Sequence, residues 1–134
     1  MRRAEPLSDA RAGGDDGQFV LVEWADPGGI TGPDRPIAGL HVHHEDDEAW
    51  YVLSGRLGFR VGDELVEAVA GAAVFVARGT PHSYWNAGGG PARYVLVMTP
   101  RISRLVAALH EPGAVDHRAV FRAHASELLI ERSD

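Results

Sequence analysis

The chain has neither cysteine nor lysine among its 134 residues, and its thirteen basic side chains are all arginine. Without cysteine there is no disulfide framework, thiolate nucleophile, iron–sulfur cluster or cysteine-rich zinc site. Without lysine there is no Schiff base with a carbonyl substrate and no phosphate-cradling P-loop. Positive charge is scarce: 13 basic against 19 acidic residues leave a net charge of −6, and the arginines are scattered apart from Arg2-Arg3. A nucleic-acid partner would call for a basic face, so none is expected. No apolar run approaches the roughly 18 residues that span a bilayer. The opening Met1-Arg2-Arg3-Ala4-Glu5-Pro6 has no apolar centre of the signal-peptide kind, so no membrane partner and a cytoplasmic location are expected. For chemistry there remain seven histidines, nineteen carboxylates, three tyrosines and the serine and threonine hydroxyls.

The length suits one domain with a single core. Residues 1–17 are polar and glycine-rich and read as a flexible arm. Residues 18–99 carry about eight short strand signals: 18–24, 40–44, 49–53, 57–61, 65–69, 72–77, 82–86 and 93–98. Gly62-Asp63 makes a tight hairpin between two of them. Strands so short and close predict an all-β sandwich or barrel. Residues 100–134 change character. Thr99-Pro100 is a capped helix start, and Ile102, Leu105, Val106 and Leu109 form one apolar face over 100–110. A second helix is expected over 116–125, with 128–130 as a closing strand or tail. This helical segment should pack on the barrel.

His41 and His43 stand two apart in a predicted strand, so both rings share one face. Glu48 opens the next strand and His82 opens a later one. Three imidazoles and a carboxylate suit one divalent first-row metal: imidazole serves iron, nickel, copper and zinc, and the carboxylate keeps manganese in the set. A five- or six-coordinate ion would retain open positions, the mark of a catalytic rather than a structural site. His44 should face away from His43. Asp46 and Asp47 read as a solvated acidic turn, although a one-residue slip would make Asp47 the carboxylate ligand. His110, His117 and His124 read as structural or exposed.

The spacing carries a resemblance. His41-Val42-His43, four residues, Glu48, six residues and Gly55 match the last four fixed positions of the first cupin motif; Arg35 stands where that motif has its leading glycine. Gly71, Gly79, His82 and Asn86 match the second cupin motif in register, with Ala77 in place of its proline. The chain thus resembles a small single-domain bacterial cupin, and His41 to Gly55 is similar to the quercetin-dioxygenase-like branch. The resemblance implies a double-stranded β-helix, or jelly-roll barrel, with short C-terminal helices. It also implies metal ligation by His41, His43, Glu48 and His82, and a homodimer formed by sheet contact, which would cover open edges.

Alternation extends the reading to a pocket wall. Trp50 follows Glu48 on its face, and Tyr84 and Asn86 follow His82. Phe59, Phe75, Leu96 and Met98 are further candidates, with less definite register. An apolar pocket beside a metal suits a small organic, aromatic substrate. Glu48 and Tyr84 are the expected proton-handling residues. Dioxygenase-type oxidation is the leading expectation. Redox-neutral cyclisation, isomerisation or lyase chemistry, as in polyketide cyclases, and non-enzymatic binding of a small molecule are the alternatives.

Overall fold

A computed structural model of the chain describes residues 1–29, 31–113 and 115–130. Among these, ten strands and two helices alternate in the order β1 (Ala12–Gly13), β2 (Val20–Asp26), β3 (Ala38–His43), β4 (Glu48–Ser54), β5 (Arg56–Val61), β6 (Glu64–Val69), β7 (Ala73–Val76), β8 (His82–Asn86), β9 (Ala92–Met98), α1 (Pro100–Leu109), α2 (His117–Ala123) and β10 (Ser126–Leu128). The strands form two five-stranded antiparallel sheets, ordered β1-β2-β9-β4-β7 and β10-β3-β8-β5-β6. Two facing sheets are the all-β arrangement that the short, closely spaced strand signals predict, and they match the jelly roll that the resemblance implies.

The sheets face each other over the apolar faces of strands such as β4 and β9. In β4, Trp50 and Val52 are buried while Tyr51 between them is exposed; in β9, Tyr94, Leu96 and Met98 point inward. Leu57, Phe59 and Tyr84 of the second sheet meet them in one core. Strand β8 is buried along its whole length, as a strand in the middle of a covered sheet should be. The hairpin of β5 and β6 turns over Gly62-Asp63 as expected, pairing Val61 with Glu64. Gly55, the last fixed position of the first motif, has φ +79, and a Cβ there would fall 2.6 Å from the Pro91 carbonyl oxygen. Only glycine fits that turn between β4 and β5.

The C-terminal segment differs in detail from the sequence expectation. Helix α1 begins as predicted, with the Thr99 hydroxyl accepting from the Ile102 N–H at 3.2 Å. Helix α2 is shorter than 116–125, since Asp116 is its N-cap and it ends at Ala123. Ala125 then takes a left-handed φ of +53, which turns the chain into β10 two residues earlier than the tail expected at 128–130. Strand β10 pairs with β3, setting Ser126 opposite His43 and Leu128 opposite His41. Leu105, Phe121 and Leu128 make a second small core between α1, α2 and β10. Within residues 1–17, Ala12 and Gly13 pair with Leu21 and Val20, and Arg11 donates to the Ser103 hydroxyl at 2.9 Å. Among the described residues, no helix is long and apolar enough to cross a membrane.

Candidate metal centre

His41 and His43 project from one face of β3. His82 sits directly opposite His41 on the neighbouring β8, and Glu48 comes from β4 of the other sheet. The loop between β3 and β4 carries the carboxylate across the gap between sheets. It is tied down by Gly79 N–H donating to the His43 carbonyl at 2.7 Å and by Asp47 gripping the Arg78 backbone and guanidinium at 2.8–3.2 Å. One potential ligand atom from each of His41, His43, Glu48 and His82 lies within 4.8 Å of all the others, and all four residues are buried.

The hydrogen bonds around the cluster decide which ring nitrogen faces inward. The His41 Nδ1–H donates to the Gly39 carbonyl at 2.6 Å, and the His82 Nδ1–H donates to the Thr80 carbonyl at 2.9 Å. A carbonyl can only accept, so the proton belongs on Nδ1 and the Nε2 lone pair is left free. His43 Nδ1 lies 2.7 Å from the Ser126 hydroxyl, which itself donates to the His124 carbonyl at 3.0 Å. With its own hydrogen committed, that hydroxyl accepts from His43. All three rings therefore present a bare Nε2.

Glu48 Oε1 lies 3.3 Å from His43 Nε2 and 3.4 Å from His82 Nε2, and none of these three buried atoms makes a hydrogen bond. Burial alone would raise the Glu48 pKa, but the neighbouring His43 and His82 outweigh it and hold the carboxyl at about 2. His41 is held neutral, its pKa lowered to about 3 by burial and then by the closeness of the His82 and His43 rings. Three lone pairs and a carboxylate in a dry site repel one another unless a cation sits between them. The donor set therefore fits a divalent metal, and it is oxygen and nitrogen only.

His41, His43 and Glu48 of the cluster line a cavity of about 490 Å³. Trp50, Tyr84 and Leu96 line it, as alternation predicts for the first two. The Tyr84 and Tyr94 hydroxyls are 3.0 Å apart. Burial and then the Tyr94 neighbour push the Tyr84 phenol well above its ordinary pKa, and burial pushes Tyr94 to about 12, so both remain neutral donors. The far wall is the apolar stripe of α1, Ile102, Leu105, Val106 and Leu109, with Phe121 and Leu128 beside it. The Phe121 ring stands edge-on to His41 at 5.4 Å.

Four pocket expectations are corrected. Phe75 faces outward and is 63% exposed, because Val74 and Val76 take the inward positions of β7. Phe59 is fully buried but stacks behind Tyr84 at 5.7 Å rather than lining the cavity. Met98 is buried in the core beyond the cavity wall. Asn86 is used structurally, donating to the Asp26 carboxylate at 2.9 Å and to the Gly90 carbonyl at 2.7 Å. Asp46 is buried against Arg101 of α1, 3.5 Å away, rather than solvated. His44 is exposed, as alternation predicts. His124 points away from the cavity, but His110 and His117 line it, and the His110 ring stacks on Trp24 with centroids 5.6 Å apart. Trp24 and Tyr94 escaped the sequence reading. They pair across β2 and β9, and Tyr94 follows from Leu96 by the same alternation.

A double-stranded β-helix with a buried three-histidine, one-glutamate cluster beneath a cavity defines a class of metal-binding domain. Residues 26–98 match the cupin domain family, and the chain belongs to it. The tetracenomycin polyketide synthase protein TcmJ of Streptomyces glaucescens is 38% identical over 64 residues, which cover 48% of this chain. The match spans only 43% of that relative's length. Among solved structures, the TT1209 protein of Thermus thermophilus superposes with a TM-score of 0.52 at 29% identity, over 62% of this chain and 73% of that one. A conserved Klebsiella pneumoniae protein with a double-stranded β-helix domain gives a TM-score of 0.51 at 26% identity, over 62% of this chain and 64% of that one.

Proposed function

We propose that this chain is a metal-dependent enzyme acting on a small aromatic molecule held in the cavity, with dioxygenase-type oxidation as the leading reaction. The observation that carries this reading is that three residues of the four-residue cluster, His41, His43 and Glu48, line an aromatic-walled cavity of about 490 Å³, a size suited to one small ligand. His41, His43, Glu48 and His82 hold the metal. A bound iron, manganese, nickel or copper ion supplies Lewis acidity and electron transfer, and zinc supplies Lewis acidity alone.

The side chains around the cluster have separate tasks. Trp50 and Phe121 flank the substrate near the cluster, and the α1 stripe excludes water. The Tyr84–Tyr94 pair shares one hydrogen between two oxygens, which leaves one phenolic hydrogen to donate to a substrate oxygen. Their raised pKa values keep that hydrogen in place at neutral pH. Glu48, ionised and short of hydrogen bonds, is a carboxylate on the cavity wall able to act as a base.

A second reading keeps the metal and drops the oxygen: cyclisation, isomerisation or elimination on a polyketide-like substrate. The similarity to TcmJ favours it, since that relative is a polyketide synthase protein. Loading the metal-stripped chain with iron(II), manganese, nickel, copper or zinc, and following oxygen uptake with flavonols, catechols and phenolic polyketides, separates the two. Uptake with a redox-active metal supports oxidation. Product formed equally under argon and with zinc supports the second reading. No turnover with any metal contradicts both and leaves a binding protein.

A second copy of the chain is the proposed partner in a homodimer. Tyr51 and Phe75 are diagonal neighbours on the outer face of β4 and β7, 44% and 63% exposed, and a two-fold sheet contact would cover them.

A further inference from the structure

The C-terminal segment belongs to the cavity wall through Phe121 and Leu128, but its closest polar contact is with the metal cluster itself. Ser126 is 3% exposed and sits opposite His43 in the β10–β3 pairing. Residues opposite one another in an antiparallel pair put their side chains on the same face, so the hydroxyl meets the ring at 2.7 Å. The hydroxyl hydrogen is already committed to the His124 carbonyl at the end of α2. Ala125 between them is the one described residue other than glycine with a positive φ, a backbone cost that alanine bears only when the surroundings require it. Its carbonyl accepts from the His44 N–H at 2.9 Å, which clamps the turn to the ligand-bearing strand on the other side of His43.

The three histidines differ in how they are fixed. His41 and His82 are oriented by carbonyls two residues back in the chain, Gly39 and Thr80. His43 has no such local acceptor. Its outer nitrogen is held by a residue 83 positions away in sequence. We infer that Ser126 is a positioning residue for the metal centre, and that it locks His43 in the tautomer whose Nε2 faces Glu48. The docked α2–β10 segment thereby closes the cavity and completes the ligand set in a single structural unit. The inference rests on the reading of the four-residue cluster as a metal site.

Two measurements on the full-length chain test it. In metal-free protein, long-range proton–nitrogen correlation spectra of the histidine rings should show His43 as the Nδ1–H tautomer. Zinc titration should then give a dissociation constant about 10- to 100-fold weaker in Ser126→Ala than in the wild type, the range typical of losing an outer partner of a ligand. Ser126→Thr, which keeps the hydroxyl, should restore most of the affinity. Leu128→Ala loosens the same strand without touching the hydrogen bond, and should leave the His43 tautomer unchanged. A wild-type His43 in the Nε2–H form overturns the inference without any variant. So does a Ser126→Ala protein that binds zinc as tightly as the wild type. A wild-type chain that binds no zinc, manganese or iron(II) instead refutes the metal reading on which the inference stands.

Discussion

The donor set of the candidate metal site is decided by the proton positions on three rings. Each imidazole gives its Nδ1 hydrogen to an outer acceptor, the Gly39 carbonyl, the Ser126 hydroxyl or the Thr80 carbonyl, and the Nε2 atoms of His43 and His82 lie 3.3 and 3.4 Å from Glu48. Glu48 supplies the only formal negative charge in that set. Glu48→Gln keeps the shape and removes the charge, so the three nitrogens then face a neutral amide. Affinity for manganese or zinc should fall by more than about 10-fold, beyond the lower end of what the loss of an outer partner costs. Competition with a fluorescent chelator measures this, and unchanged affinity would exclude Glu48 as a ligand.

At the scale of elements, β5 and β8 show how tightly the ligand-bearing sheet is packed. Gly58 is paired with Trp85, and a Cβ on Gly58 would overlap the indole ring. Gly58→Ala should destabilise the protein by about 1–3 kcal/mol, the usual cost of overpacking, with metal stoichiometry unchanged. Urea unfolding reads the first quantity and metal analysis the second. The strands were legible because β4 and β9 alternate cleanly, and the same alternation placed Trp50 and Tyr84. It failed for Phe75 because the run Ala72 to Ala77 is apolar at nearly every position and so has no readable register. The α2–β10 turn was not legible either. A left-handed Ala125 leaves no mark in sequence, and Ser126 is one serine among several until its strand is seen to lie beside His43.

For the whole molecule, an ion held at the candidate site would stabilise the fold that builds it. Two of the cluster's ligands come from β3, one from β8 and one from the opposite sheet, so a bound ion joins the two sheets. The cavity above it also joins distant parts of the chain, which is why His110 and His117 were read as peripheral while the structure puts both on its wall. The stripped protein should show the cost of the cluster in its response to acid. His41 titrates at about 3 when folded against an ordinary 6.5, so below 6.5 the unfolded chain takes up a proton that the folded one refuses. Stability is greatest above that point and falls as the pH is lowered from 6.5 toward 3. Bound metal adds stability by mass action, about 4 kcal/mol when free metal exceeds its dissociation constant 1,000-fold. Melting curves across this range, with and without metal, check both effects.

In the proposed site, His41, His43, Glu48 and His82 together hold one divalent metal. X-ray absorption on the zinc-loaded chain, with the metal counted per chain, tests it most directly. The expected result is one ion per chain, bound only by nitrogen and oxygen, with three imidazole nitrogens at about 2.0–2.1 Å from it. An ion bound by fewer than three imidazoles, or less than one tightly held ion per chain, would contradict it.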